Sequence, residues 1–194
     1  MKKPTKRDLQ AEKTYRKLVA TSMQLVKKYG YHKVTISQIC ETGGYAKGTF
    51  YNYFDSKRDI LSHLAIQLNE RLADTFSYDE NQSCTQLYLQ FVQDYMRLVK
   101  EDGHDFSKSC MQMLISESMT GAEVRLDIQQ KYLYELLEKG QQQGEFNSGM
   151  TKEAFFELWR AAVLGVISLW AIEKDNYDLL REGYQSLAAI IQLM

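Results

Sequence analysis

Proline is almost missing from this chain: Pro4 is the only one in 194 residues. The ring that breaks helices is therefore absent from everything downstream, and nothing in that composition opposes an all-helical chain. Cysteine is scarce as well. Cys40, Cys84 and Cys110 are odd in number, widely spaced and free of any Cys-x-x-Cys or His-x-Cys arrangement, so neither a disulfide framework nor a zinc site is indicated. They read as small hydrophobes. His32, His63 and His104 share no metal-ligand spacing, and no metal or cofactor is expected. Long apolar runs are lacking too. The most apolar one, Ala161 to Ile172, is short for a bilayer, and no long apolar segment follows the basic start Met1 to Arg7. The expectation is a cytoplasmic protein with no membrane partner. No nucleophile stands with a paired base, no glycine loop has the phosphate-cradling spacing, and no two carboxylates share a defined frame, which leaves an enzyme as the remote alternative.

What is present is a chain that can bury a core: 44% of its residues are hydrophobic and 12% aromatic, far from the composition of a disordered segment. A net charge of −1 conceals a division along it. Residues 1–58 hold 13 Lys and Arg against 4 Asp and Glu, whereas residues 59–194 hold 11 against 21. A basic module of this size suits a phosphate backbone, and an acidic remainder keeps that attraction from spreading over the surface. A solvated basic tail is the plain alternative from charge alone.

No internal repeat stands out, so the organisation is read from helical periodicity and its punctuation. Tyr15, Leu18, Val19, Ser22, Met23, Val26 and Tyr29 stripe a first helix that Lys27, Lys28 and Gly30 close. Thr35 and Gln38 stand as the two halves of a capping box, with Val34 and Ile39 spaced as its hydrophobic staple. Gly43-Gly44 ends that second helix after about two turns. Lys47 to Tyr53 restarts as a third, with Phe50 and Phe54 inward and Lys47, Thr49, Asn52 and Tyr53 mostly outward. Two short helices joined by a glycine-containing turn are a helix-turn-helix. Ser56 to Asp59 caps a fourth helix striped by Ile60, Leu61, Leu64, Leu68 and Leu72. A polar linker, Ser77 to Ser83, precedes helices expected at Cys84–Lys100, Phe106–Ser118 and Ala122–Lys139. Thr151 then caps a long apolar helix to about Lys174, and Asp175 or Asn176 caps the last, through Ile191.

The run Val34-Thr35-Ile36-Ser37-Gln38-Ile39-Cys40-Glu41-Thr42-Gly43-Gly44-Tyr45-Ala46-Lys47-Gly48-Thr49-Phe50-Tyr51-Asn52-Tyr53-Phe54-Asp55-Ser56-Lys57 resembles the TetR/AcrR family of transcriptional regulators. The resemblance is strong over about residues 10–65. It implies an all-α fold of about nine helices, divided into a three-helix DNA-binding domain over 1–58 and a helical effector-binding and dimerisation domain over 59–194, with 59–76 as a linking helix. Three positions depart from the family pattern. Gly43 stands for the usual Ala, Tyr45 for a small apolar residue, and Ala46 for the Ser that caps the recognition helix, a loss of about 0.5–2 kcal/mol. The ring of Tyr45 is expected to cover the bare helix start or to reach DNA.

With orientation supplied by the resemblance, Thr35 and Lys57 are expected to clamp phosphates at two helix starts. Lys47 and Thr49 would read base edges, Gly48 would let the helix approach closely, and Tyr51, Asn52 and Tyr53 would carry donors toward phosphates. Lys2, Lys3, Lys6 and Arg7 could form a minor-groove arm, with solvated disorder the plainer reading. In the acidic half, Phe91, Tyr95, Cys110, Met111, Met113, Leu114, Tyr132, Leu136 and Trp159 are candidate walls for a small apolar or aromatic effector, against the alternative of ordinary core. Phe156, Val163, Val166, Ile167, Trp170, Tyr184, Leu187 and Ile191 are candidates for a homodimer interface, with burial inside one chain as the alternative. The expected function is a ligand-responsive repressor that binds a pseudo-palindromic operator on double-stranded DNA, with an activator or co-regulator of the same fold as its rival.

Overall fold

The computed structural model describes residues 5–75, 81–116 and 127–194, all of whose regular structure is helical. Lys2, Lys3, Ala122 and Val124, together with the side chains of Leu61, Leu64, Leu68, Met113 and Leu114, lie outside the described residues. The chain forms two compact units, Met1–Ala65 and Ile66–Met194.

The first unit holds α1 (Lys6–Tyr29), α2 (Ile36–Gly43), α3 (Lys47–Tyr51) and the start of α4 (Lys57–Thr75), which runs on into the second. Its core is made by the residues the periodicity points inward: Leu18, Val19, Val26, Val34, Ile39, Phe50, Phe54 and Ile60 are all buried. Burying each large side chain is worth about 1.5–3 kcal/mol. Both capping expectations hold. Thr35 and Gln38 form the reciprocal box, and Ser56 accepts from the Asp59 N–H at 3.1 Å to start α4. Tyr29 departs from the expected stripe. It is exposed beneath Lys28, because Gly30, at φ 79°, turns the chain away in that same helical turn.

The second unit contains α5 (Cys84–Asp102), α6 (His104–Ser116), α7 (Asp127–Gln142), α8 (Lys152–Glu173) and α9 (Tyr184–Ala188). Rings from three helices meet at its centre. Phe91 stacks on Tyr132 at 5.2 Å between centroids, and Trp159 lies 5.6 Å from Phe91 and 5.5 Å from Tyr95. Three expectations need correction here. The last helix is capped by Asp178, which accepts from the Leu180 and Arg181 N–H groups, and it opens with a π-helical turn, Leu179–Gly183. Asp175 and Asn176 belong instead to a short 3-10 turn. The apolar helix α8 spans 22 residues and contains an 18-residue stretch of mean hydropathy 1.6, long enough by length and composition to cross a membrane. Its Phe155, Trp159, Val163, Val166, Ile167 and Trp170 are buried in the core of this unit.

The third correction concerns the interface candidates. Phe156, Val163, Val166, Ile167, Trp170 and Leu187 are buried within one chain, and Tyr184 and Ile191 are half-buried against the same core. What α8 leaves outside is a different stripe: Ala161, Leu164, Gly165, Leu169 and Ile172, with Ile172 79% exposed. Counting apolar residues along α8 overlooked which side of the helix the core occupies.

Candidate nucleic-acid interface

The third helix owes its position to Phe50 and Phe54, which are fully buried one turn apart and 5.0 Å between ring centroids. Pinning that side directs the rest outward. Lys47, Gly48, Tyr51 and Asn52 are exposed, while Thr49 and Tyr53 are half-buried along the flanks. Tyr53 leans toward Tyr15, 6.3 Å away, and Tyr51 is 55% exposed with its ring edge against Phe50. A Cβ added at Gly48 would meet no atom within 4 Å, so the helix surface there is bare backbone. The start of α3 has no side-chain cap, as the Ala46 substitution implies.

The expected phosphate contacts are arranged less simply. Thr35 is exposed at the start of α2, but its backbone N–H already donates to Gln38 Oε1 at 2.8 Å, leaving the hydroxyl as its free donor. Lys57 is turned inward. Its Nζ donates to the carbonyl oxygens of Tyr31 and Val34, each at 2.9 Å, and lies 3.4 Å from that of His32 and 4.3 Å from the centre of the Tyr31 ring. Burial pushes this amine below its usual pKa. Lys57 therefore holds the turn between α1 and α2 to the start of α4, a role its place in the family pattern did not reveal.

Tyr45 is half-buried. Its ring folds back over the end of α2, beside Gly43 and under the ammonium of Lys17. Lys17 went unnoticed in the sequence because only the turn of the fold brings α1 to Tyr45.

In the second unit, Phe91, Tyr95, Tyr132, Leu136 and Trp159 gather in one buried cluster. Met111 packs against it and accepts from the Ser168 hydroxyl through Sδ at 3.5 Å. Burial pushes the Cys110 thiol up to about 12, with Asp102 adding to the effect. The Trp159 indole N–H is buried with no acceptor. Among the described residues no group of three His, Cys, Asp or Glu side chains could hold a metal ion.

A short helix pinned by two phenylalanines behind an exposed Lys47-Gly48 front flanked by Thr49, following a capped helix and a glycine turn, defines a helix-turn-helix of the DNA-binding kind. The family model for bacterial regulatory proteins, tetR family, matches residues 18–64. A fatty acid metabolism regulator protein of Bacillus subtilis is 21% identical over 176 residues, covering 86% of this chain and 88% of that one. A probable acrEF/envCD operon repressor of Escherichia coli is 19% identical over 198 residues, covering 94% and 86%. The structure of the regulator FadR from Bacillus subtilis in complex with stearoyl-CoA superposes with a TM-score of 0.71 at 20% identity, covering 93% of this chain and 99% of that one. Residues 18–64 thus match the DNA-binding region of the tetR family of bacterial regulatory proteins, and the chain as a whole shares the fold of these regulators.

Proposed function

We propose that this regulator is a ligand-responsive repressor that binds a pseudo-palindromic operator as a homodimer in the cytoplasm. The observation that carries the reading is the exposed face of α3, where Lys47 can donate to guanine O6/N7 and the Thr49 methyl can meet thymine. Gly48 permits close approach to the groove, and Tyr51, Asn52, Tyr53 and the Thr35 hydroxyl supply donors for phosphates. Two copies of this head on one dimer match successive major grooves. The outward stripe of α8, with Ala161 and Gly165 allowing backbones to approach beside Leu164, Leu169 and Ile172, is the dimer surface we favour.

The effector belongs to the second unit. Soft and aromatic side chains around Trp159 suit an apolar body, and the unpaired indole N–H calls for one oxygen acceptor on it. The stearoyl-CoA bound by the similar Bacillus subtilis regulator has that chemistry, an acyl chain with one thioester carbonyl. Helix α4 begins in one unit and ends in the other, so it is the element through which ligand binding reaches the DNA-binding head. An effector weakens DNA binding only as far as it prefers a dimer whose heads are wrongly spaced. Titrating stearoyl-CoA into the protein–operator complex should release DNA, and Trp159→Phe should weaken that response. Ligand binding that leaves operator affinity unchanged would overturn the coupling. Deleting the gene should raise expression of its targets; a fall would favour the activator reading.

A further inference from the structure

We propose that Lys17 and Tyr45 together form a DNA-phosphate contact at the turn between α2 and α3, an addition that rests on the DNA-binding reading above. Three observations converge on this pair. The first is a match between two departures from the family pattern. A Cβ built on Gly43 would lie 3.1 Å from Tyr45 Cδ2, tighter than most carbon contacts, and 3.4 Å from Cε2, so an alanine there would press the ring outward by a few tenths of an ångström. Gly43 and Tyr45 are thus one adaptation. It lays a flat aromatic surface over the end of α2 instead of a small side chain.

The second observation is what rests on that surface. Lys17 Nζ stands 5.4 Å from the centre of the Tyr45 ring, and Lys17 is exposed. Its neighbours three and four residues away on α1 are Lys13, Thr14, Ala20 and Thr21, none of them acidic. Arg16 beside it differs in this respect, since Glu12 pairs with it at 2.6 Å. A ring face attracts an ammonium without neutralising it, so the charge of Lys17 and its outward N–H groups stay available. The third observation is what this turn lacks. Ala46 offers no hydroxyl, and the Lys57 ammonium is occupied by backbone carbonyls. An ammonium held over Tyr45, immediately ahead of Lys47, supplies the positive charge that neither of them presents there. Its ligand is the phosphodiester backbone of duplex DNA, and it carries no base preference.

The test uses purified full-length protein and an operator selected from random DNA, with affinity measured across salt concentrations. One phosphate contact contributes about 0.9 to the slope of log K against log salt. Lys17→Gln should lower that slope by about one per head and weaken binding about five-fold per head at ~0.15 M salt, with the selected sequence unchanged. Tyr45→Val should show the same loss, Tyr45→Phe should bind as the parent does, and the double variant Lys17→Gln/Tyr45→Val should be no worse than either single one. An unchanged slope in Lys17→Gln overturns the contact. So does full addition of the two losses, or a Tyr45→Phe defect as large as that of Tyr45→Val. Lys17 is exposed, so its variant folds; if Tyr45→Val fails by circular dichroism, Lys17→Gln and Tyr45→Phe decide. Failure of the parent protein to select any sequence would remove the DNA-binding reading instead.

Discussion

The ammonium of Lys57 donates to the carbonyl oxygen of Val34 across 2.9 Å, tying the start of α4 to the residue that precedes the α2 cap. Tyr31 takes a second N–H at the same distance, so removing the amine takes this donor from Val34 and leaves the Tyr31 carbonyl with the Val34 N–H that closes the 3-10 turn. Lys57→Met should cost about 1–2 kcal/mol, near the low end for charged hydrogen bonds because the site is half-exposed. Urea unfolding followed by far-UV circular dichroism measures this. Unaltered stability with a reduced salt slope for DNA binding would return Lys57 to the phosphate clamp.

Glu145 caps α5 from a distance in sequence, accepting from the Cys84 N–H at 3.0 Å and the Thr85 N–H at 3.1 Å. Burial works to raise its carboxyl pKa, but these hydrogen bonds and Lys139 outweigh it and hold the group below its ordinary range. A depressed folded-state pKa means a contribution present above the unfolded pKa and lost as pH falls through the folded one. Glu145→Gln should therefore lower stability at neutral pH by about 0.5–1 kcal/mol, the low end for an exposed cap. The gap between variant and parent should shrink in acid. A gap that stays constant from neutral pH into strong acid would contradict the assignment.

Gly140 sits within α7, where alanine would ordinarily favour the helix by about 1 kcal/mol. Here a Cβ would lie 2.1 Å from Cδ2 of the buried Phe146 ring, which packs directly on the helix backbone. Gly140→Ala should destabilise the protein by about 1–3 kcal/mol through overpacking. Thermal unfolding decides it: a variant as stable as the parent would mean that the ring can move aside.

The outward stripe of α8 carries the dimer proposal. Leu169→Asp combined with Ile172→Asp should give a folded monomer by sedimentation velocity, since both side chains are exposed in the single chain. Trp170→Ala, at a buried position, should instead cost about 3–5 kcal/mol of stability. A double variant that sediments like a dimeric parent would move the interface elsewhere.

The first unit was legible in the sequence because its signals are local. A capping box, a staple and a glycine stop each act within five residues, and Phe50 and Phe54 need only helical spacing to share a face. The partners of Lys57 and Tyr45 are not legible locally, because the carbonyls of Tyr31 and Val34 and the side chain of Lys17 come from other elements and meet them only in three dimensions. In α8 the difficulty was of another kind. Apolar residues lie all around that helix, so periodicity could not separate the core side, with Trp159 and Trp170, from the outward side, with Leu169 and Ile172. The last helix started late for a related reason: several residues there are able to cap, and sequence alone did not rank Asp178 above Asp175 and Asn176.

Selection of bound sequences from a random duplex pool tests the central claim most directly, performed with the parent protein and with Lys47→Ala. The account predicts a two-fold symmetric motif for the parent and relaxed preference at one position in each half-site for the variant. Absence of enrichment at low salt, or an unchanged motif without the Lys47 side chain, would contradict it.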